Sequence, residues 1–136
     1  MAIALLSVGL LGLLVFLLGA NVSRERQSVA VTQHEAEADP KSGLRKSIRA
    51  HGNCIEYVPM LSLMILALGL RLPILPWWIA VLMLGAVASR FAHAYGILSG
   101  GSIYSANMLK RIGAGGTYVT GLILSLVLVI RAFSLL

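Results

Sequence analysis

Residues 2–20 form an uninterrupted apolar segment without a single charged side chain. About 20 consecutive apolar residues allow an α-helix to cross the hydrocarbon core of a bilayer. The rest of the chain has the same character, because 58% of its 136 residues are hydrophobic and only 12% are charged. A soluble domain of this length needs far more surface charge. The sequence therefore predicts an integral membrane protein. A signal peptide is the competing interpretation of residues 2–20, but the segment lacks a basic start and is too long.

Four long apolar segments predict an all-α bundle of four transmembrane helices. Their expected bounds are about 2–26, 41–70, 76–98 and 108–133. Together they occupy most of the chain, so residues 1–136 are expected to form one domain. The polar segment 27–44 between the first two helices contains Pro40 and Gly43, and this composition predicts a surface loop.

Basic residues are concentrated near two of the three connections between the predicted helices. They are Arg24, Arg26, Lys41, Arg45, Lys46 and Arg49 near the first connection, and Lys110 and Arg111 near the third. The second connection has only Arg71. The positive-inside rule therefore predicts that the two long loops are cytoplasmic and that both termini lie outside. The net charge of +6 indicates contact with anionic lipid headgroups rather than nucleic acid, for which no stacking platform is present.

The second predicted helix begins with a polar cluster, R-A-H-G-N-C-I-E-Y-V-P, over residues 49–59. In a helix, Arg49, Asn53 and Glu56 lie at i, i+4 and i+7 and share one stripe. Ionisable side chains are costly in hydrocarbon, so they usually face the bundle interior and mark a functional site. A guanidinium, an amide and a carboxylate on one stripe suit a ligand that carries both carboxylate and ammonium groups.

Each of these residues also has a structural interpretation. Glu56 could form an ion pair with Arg49, Arg90 or Arg111 instead of binding a substrate ammonium or relaying a proton. Arg49 could reach the interface by snorkelling. On the third helix, Arg90 and His93 share a face, and snorkelling by Arg90 competes with a ligand or ion-pair role. No metal site is expected, because the chain's three histidines are widely separated: His34, His51 and His93.

Two motifs carry a resemblance to a known family. R-x-H-x-N-x-x-E-Y-x-P at residues 49–59 and R-x-x-H-A-Y-G at residues 90–96 resemble the MAPEG family, membrane-associated proteins in eicosanoid and glutathione metabolism. The resemblance covers essentially the whole chain and is closest to the bacterial branch. It implies a four-helix protomer that assembles as a homotrimer in a bacterial inner membrane. Glutathione, the co-substrate, is then expected in a cleft between adjacent protomers, open to the cytoplasm.

The resemblance also implies roles for individual residues. Those expected to bind glutathione are Arg24, Arg26, Arg49, Asn53, Glu56, Tyr57, Arg90 and His93. Glu56 is expected to hold the γ-glutamyl ammonium group, and either arginine at the end of the first helix would hold a carboxylate. Arg111 is expected to be catalytic by stabilising the glutathione thiolate. A nearby cation lowers the pKa of a thiol from its usual value of about 8.5, and a helix N-terminus adds about half a positive charge.

The activity implied is that of a glutathione-dependent transferase or peroxidase acting on lipophilic electrophiles dissolved in the membrane. Two other functions compete with it. One is a non-enzymatic lipid-binding or scaffold protein of the same fold. The other is a small four-helix multidrug transporter, which needs a carboxylate in its first helix, and residues 2–20 contain none. Binding of glutathione would separate the first function from the other two.

Overall fold

The structure is a computed structural model that describes residues 1–30 and 32–135. Its helices, in chain order, are α1 (Ala2–Ser28), α2 (Gln33–Ala38), α3 (Gly43–Arg71), α4 (Trp77–Leu98) and α5 (Met108–Phe133). The four long helices, α1, α3, α4 and α5, have the length and composition needed to cross a membrane. The fold class predicted from the sequence, an all-α membrane bundle with four spanning helices, is therefore confirmed.

Polar side chains cap the first turns of α3 and α5. Ser42 precedes α3 and its hydroxyl accepts a hydrogen bond from the Arg45 backbone amide. Asn107 precedes α5 and its side-chain oxygen accepts from the amides of Leu109 and Lys110. These caps satisfy backbone donors that have no partner within the helix. They fix the first turns of α3 and α5, the two helices that supply most of the site.

The short helix α2 lies in the segment that was expected to be a surface loop, so that expectation was wrong for residues 33–38. Thr32 and Glu35 form a capping box, in which the threonine hydroxyl accepts from the Glu35 amide and the Glu35 carboxylate accepts from the Thr32 amide. The hydrogen bond from the Thr32 hydroxyl, followed by that from its amide, holds the pKa of the Glu35 carboxyl below its usual value. Reciprocal caps of this kind stabilise a first helical turn.

Helices α4 and α5 form the closest helix pair, because glycines allow their backbones to approach. A Cβ atom added at Gly113 would lie 2.6 Å from the Ser89 carbonyl oxygen. One added at Gly96 would lie 2.9 Å from the Cα atom of Lys110. Small residues at helix interfaces allow this approach in membranes. The glycines therefore fix the rotation of α5 about its axis relative to α4.

Helix α1 packs along α3 as a second pair, and α3 also packs against α4. In contrast, α3 and α5 touch at only a few points along their length. One of these is the hydrogen bond from the Ser125 hydroxyl to the Met64 sulfur at 3.0 Å. Another is the approach of Leu61 to Gly121, where an added Cβ atom would lie 3.6 Å from the Leu61 side chain. A groove between α3 and α5 remains open as a result.

The two long connections meet at one end of the bundle. The Ile103 amide donates to the Pro40 carbonyl at 2.9 Å, and the Lys46 ammonium group donates to the Gly100 carbonyl at 3.2 Å. A small apolar cluster of Val22, Ala36 and Leu44 seats α2 against α1 and α3 at the same end. The start of α3, the end of α4 and the start of α5 are thereby held together around one cavity.

Candidate functional site

A polar cavity of about 460 Å³ opens at the end of the bundle where the long connections meet. Small-molecule sites usually enclose about 300–1,000 Å³. The residues that line the polar cavity are Arg45, Arg49, Asn53, His93, Ile97, Ile103, Tyr104, Lys110 and Tyr118. They come from α3, α4, α5 and the connection before α5. Three of them are cations and none is a carboxylate, so the cavity favours an anionic ligand.

The stripe on α3 supplies most of the charged groups around the cavity. Arg49 and Asn53 line it as the helical spacing predicted, and Arg45 adds a second guanidinium one turn before Arg49. Glu56 lies one turn beyond Asn53, exposed at the edge of the neighbouring groove. The stripe therefore carries two cations at one end and a carboxylate at the other. This order matches a ligand with a carboxylate and an ammonium group at separate positions.

Arg90 lies inside the bundle and is only 1% exposed. One guanidinium nitrogen donates to the side-chain oxygen of Asn53 at 2.8 Å and to its carbonyl at 3.3 Å. The other terminal nitrogen donates to the Thr117 hydroxyl at 3.3 Å. The guanidinium also lies over the Tyr57 ring, 5.2 Å from its centroid. The snorkelling interpretation of Arg90 is therefore wrong, because the side chain bridges α3, α4 and α5 instead of extending to the interface.

Asn53 connects Arg90 to Glu56. Its amide nitrogen donates to a Glu56 carboxylate oxygen at 3.4 Å, while its oxygen accepts from Arg90. Within residues 1–30 and 32–135 no cation lies within salt-bridge distance of Glu56. The direct ion pair considered for Glu56 is thus not formed within the protomer. The carboxylate stays exposed and can accept a further donor.

His93 is buried at the wall of the polar cavity, 8% exposed. Its Nδ1 atom lies 2.7 Å from the Lys110 carbonyl oxygen. A carbonyl only accepts, so Nδ1 donates and the neutral ring presents Nε2 as an acceptor. The Lys110 ammonium group donates to the Ile103 carbonyl at 2.7 Å and holds the connection before α5 over the cavity.

Arg111 begins an exposed stripe on α5 and lies outside the set of residues that line the polar cavity. Seven residues later on the same stripe is Tyr118, about 10 Å further along the helix axis. Gly115 lies between them, and a Cβ atom added there would meet nothing within 4 Å. The stripe therefore has a cation at its start, open space at its centre and a phenol at its end.

The two arginines at the end of α1 lie away from the polar cavity. Arg24 donates to the Asn21 side-chain oxygen at 2.7 Å. One Arg26 nitrogen lies 4.0 Å from a carboxylate oxygen of Glu37 in α2. Neither arginine is among the residues that line the polar cavity of the protomer.

An apolar groove of about 410 Å³ lies between α3 and α5, next to the polar cavity. It is lined by Glu56, Tyr57, Met60, Leu61, Met64, Thr117, Tyr118, Gly121, Leu122 and Ser125. Tyr118 lines both spaces. Its hydroxyl lies 3.1 Å from the Tyr57 hydroxyl, and the two rings meet edge to face with centroids 5.8 Å apart. The tyrosine pair marks the boundary between the polar cavity and the apolar groove.

Several residues that line the polar cavity were not among the site residues predicted from the sequence, and the polar ones are Arg45, Tyr104, Lys110 and Tyr118. Arg45 lies four residues before Arg49 and therefore on the same stripe of α3, so helical spacing could have identified it as a site residue. Tyr118 follows Arg111 at i+7, but α5 is apolar on several sides, so its sequence does not indicate which face meets α3.

The model of the MAPEG family matches residues 4–133 of the chain. No curated protein and no solved structure matches the sequence. The matched range contains the four long helices except the first two residues of α1, and it contains every residue of the polar cavity and the apolar groove.

Proposed function

The chain belongs to the MAPEG family, and we propose that it is a membrane-bound, glutathione-dependent transferase or peroxidase that acts on lipophilic electrophiles. The observation that carries the proposal is the polar cavity joined to an apolar groove. A charged tripeptide and a lipid-soluble electrophile need two such environments side by side. The tyrosine pair at the boundary is where the two reactants would meet.

Glutathione carries two carboxylates and one ammonium group, and the α3 stripe offers partners for each kind. Arg45 and Arg49 supply guanidinium groups, which pair with carboxylates in a planar, two-bond geometry. Glu56 supplies the carboxylate for the ammonium group. Asn53 is held by Arg90 at 2.8 Å, so its amide is oriented before the ligand arrives. Tyr57 and His93 complete the walls, and His93 offers Nε2 as an acceptor.

Arg111 would stabilise the glutathione thiolate. A guanidinium favours the ionised thiol, which is the nucleophilic form. The start of α5 adds the positive end of the helix dipole. Asn107 already accepts from the amides of Leu109 and Lys110, so the contribution of this helix end is its field rather than free donors. Arg111 is exposed on the protomer, open to a ligand shared with a neighbour.

We further propose a homotrimer, in which Arg24 or Arg26 of one protomer reaches the cavity of the next. Both arginines are exposed and neither lines the polar cavity of its own protomer, which supports this arrangement. The orientation with cytoplasmic long loops and external termini, in a bacterial inner membrane, follows from the positive-inside rule. It opens the polar cavity to the compartment that holds glutathione.

Glu56→Gln tests the proposal. The variant retains the size of the side chain and a hydrogen-bonding oxygen but loses the charge that would hold the ammonium group. A hydrogen bond to a charged group is worth about 1.5–3 kcal/mol, so glutathione affinity should fall about 10- to 100-fold. Isothermal titration calorimetry of the purified protein in detergent measures this change.

Glu35→Gln is the matched control, because it removes a carboxylate from the exposed helix α2 and glutamine still completes a capping box. It should bind glutathione like the parent. Normal binding by a folded Glu56→Gln variant would contradict the role of Glu56. No binding by the parent would favour a lipid-binding or scaffold protein, which the open apolar groove between α3 and α5 would also serve.

A further inference from the structure

We propose that Tyr118, at the polar end of the apolar groove, donates its phenolic proton to an acceptor oxygen on which negative charge develops. The inference rests on the proposed glutathione-dependent function and extends it. It adds one catalytic residue to that function, and an organic hydroperoxide is the acceptor with which its role can be tested. The observations that carry it are the position of Tyr118 and its two neighbours, Tyr57 and Gly115.

The groove has a polar end and an apolar body. Tyr57, Thr117 and Tyr118 lie at the end that adjoins the polar cavity. Beyond them the walls are mainly aliphatic, with Met64 on α3 and Leu122 on α5. Leu122 is 71% exposed, so the groove is open at the surface of the protomer. A molecule with a long apolar part and one polar reacting group would enter from the membrane and place that group against the tyrosines.

Tyr118 is placed to donate a proton into this space. Its side chain is 54% exposed, and its hydroxyl is 3.1 Å from that of Tyr57. Arg90 lies over the Tyr57 ring at 5.2 Å from the centroid, and this cation draws electron density from the ring. Either hydroxyl of the pair can donate, and in the proposed reaction the Tyr57 hydroxyl donates this hydrogen bond to the Tyr118 oxygen. The Tyr118 proton remains available for the acceptor.

The open space at Gly115 allows the two reactants to meet. Side chains on a helix tilt toward its N-terminus, so Tyr118 leans toward Gly115. A Cβ atom at Gly115 would contact nothing within 4 Å, so there is open space beside this position of the stripe. The sulfur would lie on the Arg111 side of this gap and the acceptor oxygen on the Tyr118 side.

With a hydroperoxide, ROOH, the thiolate sulfur attacks the terminal oxygen. The S–O bond forms, the O–O bond breaks, and the electron pair leaves on the alkoxide RO⁻. Tyr118 gives its proton to RO⁻ and regains one from water, which received the proton of the glutathione thiol when the thiolate formed. Sulfur is oxidised and the peroxide is reduced, so glutathione and ROOH give the sulfenic acid and ROH. A second glutathione converts the sulfenic acid into the disulfide and water.

Tyr118→Phe tests this inference with two probes, cumene hydroperoxide and benzyl chloride. Charge develops on oxygen in the first reaction and on chloride in the second. Loss of the donor should lower kcat/KM for the hydroperoxide about 10- to 100-fold. The value for benzyl chloride should change by less than about 3-fold, and glutathione affinity and bound-thiolate absorbance should stay at parent levels. Tyr95→Phe is the matched control, since Tyr95 is 62% exposed on α4 and lines neither space.

The remaining outcomes overturn the inference. An equal loss with both probes would assign Tyr118 to packing, and a loss of bound-thiolate absorbance would place it on the thiol instead of the acceptor. Unchanged turnover of the hydroperoxide would remove Tyr118 from the reaction while the parent still binds and uses glutathione. A parent that neither binds glutathione nor turns over either probe would reject the proposed function itself. Thermal unfolding in detergent checks that the Tyr118→Phe variant is folded.

Discussion

Replacing Arg90 with methionine should destabilise the bundle by removing the side chain that joins three helices. Methionine retains much of the apolar stem but has no donor. The variant loses a charge-assisted hydrogen bond of 2.8 Å to the Asn53 side chain, two weaker ones of 3.3 Å, and the contact with the Tyr57 ring. A hydrogen bond to a charged group contributes about 1.5–3 kcal/mol, and a desolvated cation–π contact contributes about 2 kcal/mol.

Removing Arg90 also relieves an unfavourable contribution, which offsets part of the lost stabilising free energy. The Nε atom of Arg90 is buried without a hydrogen-bond partner, and removing an unsatisfied donor relieves about 1–3 kcal/mol. Thr117 keeps its own bond to the Gly113 carbonyl at 2.7 Å, so its hydroxyl is not left unpaired. The net destabilisation expected for Arg90→Met is about 2 kcal/mol. By the scaling for domains of this size, this lowers the unfolding temperature by about 5–10 °C.

Thermal unfolding in detergent, followed by circular dichroism, measures this shift. Arg131→Met is the control, because it removes an exposed arginine near the end of α5 and should leave the unfolding temperature unchanged. Asn53→Ala, alone and combined with Arg90→Met, completes a double-mutant cycle whose coupling energy should be about 1–2 kcal/mol. A coupling energy near zero, or an Arg90→Met variant as stable as the parent, would refute the idea that this contact holds the helices together.

Two further predictions concern α5. Gly113→Ala should lower the unfolding temperature, because its Cβ atom would lie 2.6 Å from the Ser89 carbonyl oxygen and such overpacking costs about 1–3 kcal/mol. Gly115→Ala, where the added atom meets nothing within 4 Å, should leave the unfolding temperature unchanged or raise it. Equal shifts of the unfolding temperature in the two variants would contradict the close contact between α4 and α5 at Gly113. Arg111→Ala should lower turnover more than glutathione affinity and should abolish bound-thiolate absorbance. Lys110→Ala should keep the thiolate signal but lower thermal stability, and the opposite pattern would transfer the thiolate role to Lys110.

The four long helices could be predicted from the sequence because each depends on a local property, a run of apolar residues long enough to cross a bilayer. The helix α2 was not predicted, because no run of apolar residues marks it. It has six residues in a polar segment, too few for periodicity to be visible. Its existence depends on two side chains, Thr32 and Glu35, that bond reciprocally to each other's backbone. The Thr-x-x-Glu spacing was present in the sequence as a capping signal.

The site was predictable where its residues share a helix and not where they meet across helices. Arg49, Asn53 and Glu56 follow from helical spacing alone. The environment of Arg90 does not, because its partners lie on α3 and α5 and depend on how α4 is rotated about its axis. From the sequence alone, an arginine at position 90 is compatible with an interfacial or a buried location. The packing of the neighbouring helices decides between the two.

The position of Tyr118 depends on how α5 is rotated about its axis, and Gly113 determines this rotation. Gly113 brings α5 against α4 at Ser89 and His93, and Thr117 and Leu124 continue the same buried face. Successive residues in a helix are separated by about 100°, so Tyr118 lies a quarter-turn from Thr117, on the side that faces α3.

The residues at i+3, i+4 and i+7 from Tyr118 lie on the same side of α5. They are Gly121, Leu122 and Ser125, and all three line the apolar groove. The order of side chains along this face therefore places the phenol next to the polar cavity and a glycine directly beyond it. A Cβ atom added at Gly121 would lie 3.6 Å from the Leu61 side chain, at ordinary contact distance. A side chain larger than that of alanine at position 121 would extend into the apolar groove next to the tyrosines. The same close contact that fixes α5 on α4 thus determines that the two binding spaces meet at Tyr118.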